Sequence, residues 1–313
     1  MSQLISYLKT DLLTKMLGDI SIVTELKGGM SSNKCFYVKS NSLQFTCIVF
    51  KDSKKSDKEI LDWHNVTLSL KNFRPRVRIP VNTNITHFIF DNIKYKACLY
   101  NYIDGKTIMW SGYNSSQIHE LGLVMNRLHT SLSNFSLPLP SWREIMIDDL
   151  EKFISYINFV NPYIEQKIHI KINQTKLSKN IKIIINYLNT NYEQTVLHYD
   201  LQRANLIFKN NELNGIIDFE KACRGPRIAD IAKSCAYLMH DKKWHSTKYI
   251  KYHFFLGYGK TPDIQMLNPL IIHHFLMEMK NWMFNTPFES LNENKVFSKI
   301  IKYLIKQNYV TQL

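Results

Sequence analysis

Apolar and polar positions divide the chain near residue 100. Before it, Phe45-Thr46-Cys47-Ile48-Val49-Phe50 is a continuous apolar run ending at Lys51, the pattern of a buried strand. A polar loop and a helical pattern from Lys58 to Trp63 follow it, and Tyr95–Tyr100 reads as another strand. Beyond it the period changes. Apolar Leu121, Val124, Met125 and Leu128 recur at helical spacing after an N-cap at Ser115, as do Ile271, Phe275, Leu276 and Met279 further on. One later segment returns to β: Leu206-Ile207-Phe208, a turn at Lys209–Glu212, then Leu213–Ile217. The pattern predicts an α+β chain with a small β-rich lobe over 1–100, a connection at 101–105 and a larger, mainly helical lobe over 106–313.

The late hairpin carries the chemistry. Asn205 stands immediately before its first strand and Asp218 immediately after its second, so pairing of the strands brings the two together. Asp200 lies on the loop just upstream, with His198 ahead of it. A hydroxyl attacking a terminal phosphate must shed a proton, which a carboxylate such as Asp200 can accept. Mg²⁺ is a hard cation that takes oxygen ligands and bridges phosphates, which suits the amide oxygen of Asn205 and the carboxylate of Asp218. His198 reads as an organiser of the loop, packed inward and bonded to backbone.

His198-Tyr199-Asp200 through Asn205, then Ile216-Ile217-Asp218-Phe219-Glu220 and Asp230-Ile231-Ala232, resemble the aminoglycoside phosphotransferase and choline kinase superfamily. The resemblance runs from end to end of the chain. It implies a bilobal protein-kinase-like fold, ATP or GTP as donor, Mg²⁺ as cofactor and a small-molecule hydroxyl as acceptor. Tyr199 stands where protein kinases carry Arg, Asp-Phe-Glu replaces Asp-Phe-Gly, and no Ala-Pro-Glu segment follows. A phosphorylated activation loop is therefore not expected, and a protein kinase is the lesser alternative.

The resemblance assigns further residues. Gly28, Gly29, Ser31 and Ser32 fall where the nucleotide-covering loop should be, although a Gly-Gly turn also suits a plain hairpin. Lys51 would contact the α and β phosphates and Glu59 would brace it; the alternative for Lys51 is a solvated strand end beside Lys54 and Lys55. Adenine would be read by the carbonyl of Asn101 and the amide of Ile103, with Tyr100 beside the ring. Asp230 would brace the catalytic loop. The acceptor pocket would be built in the second lobe. Glu278 and Trp282, one turn apart, could hold an amine by charge and cation-π attraction, while Asp148, Asp149 and Glu151 are equally available.

Composition excludes more than it selects. The formal charge of +14 comes from lysine spread along the chain without aromatic interleaving, so no nucleic-acid or membrane partner is indicated. Five scattered cysteines give neither a disulfide framework nor a zinc site. With no run of membrane-spanning length and no secretion-signal order at Met1–Ile5, the expected location is the cytoplasm. The competing class is a catalytically silent nucleotide-binding protein on the same fold, because fold alone does not establish activity.

Overall fold

Two short helical turns, α1 (Gln3–Tyr7) and α2 (Leu13–Leu17), open the chain and precede strands β1 (Ile22–Glu25), β2 (Lys34–Ser40) and β3 (Leu43–Lys51). Helix α3 (Asp57–Ser69), β4 (Arg76–Val77), β5 (Thr86–Phe90) and β6 (Ile93–Asn101) follow. Next come α4 (Ser115–Ser131), α5 (Trp142–Ile168), β7 (Ile170–Ile172), α6 (Gln174–Leu188), β8 (Thr195–Leu197), β9 (Leu206–Lys209), β10 (Glu212–Ile216) and β11 (Cys223–Gly225). The chain ends in α7 (Arg227–Met239), α8 (Thr247–Tyr258), α9 (Ile264–Asn285), α10 (Phe288–Leu291), α11 (Lys295–Lys306) and β12 (Val310–Gln312). This computed structural model describes residues 3–26, 33–239, 247–291 and 293–312. Among them no helix is long and apolar enough to cross a membrane.

Backbone contacts divide the chain into two units. The first comprises Met1–Ile108, Phe135–Pro138 and Arg203–Glu220; the second comprises Met109–Asn134, Leu139–Gln202 and Lys221–Leu313. The first unit holds an antiparallel sheet in the order β1-β2-β3-β6-β5 and a smaller sheet in the order β4-β10-β9. Side chains alternate across β3. Cys47 and Val49 join Leu8, Leu13, Val38 and Leu99 in one core, whereas Phe50 and the partly buried Ile48 pack with Ile60, Trp63 and Tyr100 on the α3 side.

The expected hairpin is β9–β10, with Leu206 opposite Ile216 and Leu213 opposite Phe208. Asn210 and Asn211 both adopt positive φ, the conformation a two-residue turn needs to match strand twist. Helix α4 begins one residue earlier than the Ser115 cap predicts. Its cap is Asn114, whose Oδ1 accepts from the Gln117 amide at 2.9 Å while Gln117 Oε1 accepts from the Asn114 amide at 3.0 Å. Two reciprocal bonds satisfy more of the helix's orphan donors than a lone serine can.

In the second unit α4 and α8 approach closely at two glycines. A Cβ on Gly257 would meet the carbonyl oxygen of His119, and one on Gly122 the carbonyl of Phe254. Both obstacles are backbone, which cannot rotate away. Gly257→Ala is therefore expected to destabilise the protein by about 1–3 kcal/mol despite the better helix propensity of alanine. Gly112→Ala, with nothing within 4 Å of its would-be Cβ, should change little. Denaturant unfolding of the two variants makes the comparison.

Candidate active site

In the first unit, Asn205 closes a short 3₁₀ turn (Arg203–Asn205) and is 5% exposed. Its carbonyl accepts from the Ile217 amide at 3.0 Å, extending the hairpin ladder and fixing Asn205 beside the exit of β10. The next residue, Asp218, sits at φ 68°, a left-handed conformation uncommon outside glycine and asparagine. Asn205 and Asp218 line one cavity, together with Asn33, Trp63, His64, Arg78, Tyr100 and Glu220. An amide oxygen and a carboxylate on one wall are hard donors of the kind Mg²⁺ takes, so this pair fits the expected ion.

Tyr100 is in the cavity wall, its hydroxyl 2.9 Å from His64 Nε2. Burial pulls the His64 pKa down to about 4, so the ring is neutral at physiological pH. Asn101 is bonded to the segment after β4: its Oδ1 accepts from the Ile79 amide at 2.6 Å and its own amide donates to the Ile79 carbonyl at 3.0 Å. Ile103 is buried and packs so closely on Gly215 that a Cβ there would lie 2.5 Å from its methyl group. Gly28, Gly29, Ser31 and Ser32 lie outside the described residues.

The structure does not bring Lys51 and Glu59 to this cavity. Lys51 is exposed, and strand alternation puts it on the side of Cys47 and Val49, away from Ile48, which lines the cavity. Glu59 completes a capping box on α3, with its Oε2 accepting from the Ser56 amide at 2.8 Å. That bond and the Ser56 hydroxyl, joined by the charge of Lys55 and opposed by burial, hold its pKa below the ordinary value. Sequence reasoning passed over two cations. Lys55 stands 3.8 Å from Glu220 and 4.8 Å from the centre of the Trp63 ring. Arg78 lines the cavity itself.

The second unit holds Asp200 on the loop after β8. Asp230, wholly buried at the start of α7, clamps that loop: its two oxygens accept from the His198 amide at 2.9 Å and the Tyr199 amide at 3.0 Å. Tyr199 turns the chain at φ 56°. His198 Nδ1 then accepts from the Asp200 amide at 3.2 Å. Behind Asp230, His129 Nε2 lies 3.1 Å from its carboxylate and His129 Nδ1 2.9 Å from the Tyr258 hydroxyl. Burial pushes the Asp230 pKa up, but the bond and charge of His129 outweigh it and hold it below the usual value.

Asp200 is 4% exposed, and its Oδ1 accepts from the Tyr237 hydroxyl at 3.0 Å and from Lys221 Nζ at 3.2 Å. Burial raises its pKa; Lys233, Lys221 and His198 together reverse that and leave it below the ordinary carboxylate value. Lys233 lies 3.9 Å over the Tyr199 ring, its pKa lowered by burial against the pull of Asp200. Glu278 on α9 senses the same charges: burial raises its pKa, and Lys233 and Lys221 oppose the rise. Asp149 on α5 is raised by burial in the same way, opposed by Lys233 and Lys280. Trp282 is half-buried one turn beyond Glu278, whereas Asp148 is paired with Lys152 at 2.6 Å.

The chain is similar to a homoserine kinase from Zymomonas mobilis, 24% identical over 157 residues that cover 48% of this chain and 44% of that enzyme. It therefore spans less than half the length of this relative. Among solved structures it shares the fold of an amicoumacin kinase in complex with AMP-PNP, Ca²⁺ and Ami (TM-score 0.69, 13% identity, 98% of this chain and 96% of that one). It also shares that of a microcompartment-associated aminopropanol kinase (TM-score 0.67, 13% identity, 96% and 98%). A spectinomycin phosphotransferase in complex with ADP and its antibiotic aligns over 96% of this chain and 93% of its own at TM-score 0.59 and 18% identity. Residues 22–255 match the family model described as the phosphotransferase enzyme family, and the chain belongs to that family.

Proposed function

We propose that the protein is a kinase that moves the γ-phosphate of ATP or GTP to the hydroxyl of a small, amine-bearing molecule. The observation that carries this reading is Asp200: buried, ionised, and presented by a loop whose backbone is clamped by Asp230. Asp200 accepts the proton of the acceptor hydroxyl; the oxygen forms a bond to the γ-phosphorus as the bond to the β-phosphate oxygen breaks, and the nucleoside diphosphate leaves with the electron pair. Tyr237 and Lys221 hold the carboxylate in place, while Lys233, Lys221 and His198 favour its ionised form against burial. Asn205 and Asp218 would hold Mg²⁺, which when bound neutralises phosphate charge.

The acceptor class rests on Glu278 and Asp149. Both are carboxylates whose burial disfavours the charged form, and an ammonium group docking beside them would offset that desolvation. The aminopropanol kinase and the homoserine kinase are named for an amino alcohol and a hydroxy amino acid, compounds of that kind. Purified protein given ATP or GTP with Mg²⁺ should consume nucleotide in response to amino alcohols or hydroxy amino acids, and not to sugars without an amine. Asn205→Ala and Asp218→Ala should abolish or cripple the metal-dependent turnover. Tight nucleotide binding without any turnover, whatever the acceptor, would contradict the reading and favour a silent binder.

A further inference from the structure

We propose that Arg78 is the cation that grips the nucleotide's phosphates in this protein, doing from the end of β4 what a lysine on β3 would otherwise do. The proposal rests on the reading of the Asn205–Asp218 cavity as the nucleotide site. Arg78 is the one lysine or arginine among the described residues lining that cavity. Its backbone amide donates to the Ile216 carbonyl at 3.0 Å, which continues the β4–β10 pairing and fixes Arg78 beside Ile216, two residues before Asp218. Its Nε is buried and has no hydrogen-bond partner.

A buried guanidinium nitrogen without an acceptor is costly, and the cost is removed when an anion arrives. Burial accordingly pulls the Arg78 pKa down, with Cys35 and Asp218 opposing. The opposite wall explains why the charge has to come from here. Ile48 takes the place on β3 that faces the cavity, and Trp63, His64 and Thr67 of α3 occupy the helix side. Lys51 has the wrong parity on its strand, and Glu59 is held in the α3 cap. Lys55 is engaged with Glu220. A planar guanidinium can match two phosphate oxygens at once, which a flexible ammonium does not.

Titration calorimetry of the full chain with ATP, with and without Mg²⁺, and with adenosine tests this. Arg78→Gln should weaken ATP binding by about 10- to 100-fold and leave adenosine binding within about twofold, the size expected for a lost charge-assisted bond. Arg78→Lys should recover part of the loss, and its melting temperature shows that the fold survives exchange of this side chain. ATP binding that ignores Arg78→Gln, or falls with Lys51→Met instead, overturns the proposal. So does an equal loss of ATP and adenosine in both Arg78 variants. If the wild-type protein binds ATP and Asp218→Ala weakens that binding, such a failure is of Arg78 alone; if the wild-type protein binds neither ligand, the nucleotide-site reading falls with it.

Discussion

Asp200→Asn is expected to lower acceptor phosphorylation by about 10²- to 10⁴-fold while leaving the nucleotide dissociation constant nearly unchanged. Asparagine keeps the shape of the side chain and can still accept from Tyr237, so the loop should stay in place; what it cannot do is take the hydroxyl proton. The acid limb of the pH–rate profile follows from the same electrostatics. Lys233, Lys221 and His198 hold the Asp200 pKa below the ordinary carboxylate value against burial, so the base is ionised above that value and is lost only as pH falls through it. Replacing Lys233 by Met removes the largest of those charges, and the acid limb should move to higher pH. A limb that stays put in Lys233→Met would show that another group governs it.

Asp230→Ala is expected to cost about 3–5 kcal/mol, a large part of the 5–15 kcal/mol that typically separates folded from unfolded protein. The carboxylate satisfies two backbone amides and faces His129, all of them buried; its removal leaves each without its acceptor. Asp230→Asn keeps one acceptor oxygen and should fall between wild type and Ala. The pH dependence has a definite sign. Because the folded-state pKa of Asp230 is depressed, its contribution to stability is fully present above the unfolded value and is lost as pH falls through the folded one. Urea unfolding of wild type and Asp230→Asn between neutral and acid pH should therefore show the gap closing on the acid side. A constant gap would assign the effect to packing.

What the sequence makes legible here is what neighbouring residues decide. The β9–β10 hairpin is a matter of local alternation and an Asn-Asn turn, and it brings Asn205 and the exit of β10 together whatever the rest of the chain does. The capping box on α3 was equally local: Ser56 and Glu59 stand at the required spacing, a signal that explains why Glu59 is spent on its own helix. Lys51 shows how a strand position can mislead. The run Phe45–Phe50 is apolar on both faces, so it gives no parity, and only the packing of Ile48 with Trp63 and of Val49 with Leu99 reveals which side faces the cavity.

The rest was hidden because it depends on residues distant in the chain. Arg78 directly follows the two-residue β4, in a stretch between Pro75 and Pro80 too short for any period, and its meaning comes from the parallel pairing of β4 with β10. The partnership of His129 with Asp230 spans 101 residues. The groups around Asp200 are drawn from Lys221, Lys233 and Tyr237, of which only the helix α7 pair shares an element.

Phosphate transfer is followed by incubating the protein with γ-labelled ATP, Mg²⁺ and a hydroxy-amine acceptor and tracing the label. Label should appear on the acceptor hydroxyl as a phosphate ester, in the wild-type protein and at least about 10²-fold more slowly in Asp200→Asn. Label released only as inorganic phosphate, or transferred equally well by Asp200→Asn, would contradict a kinase with Asp200 as its base.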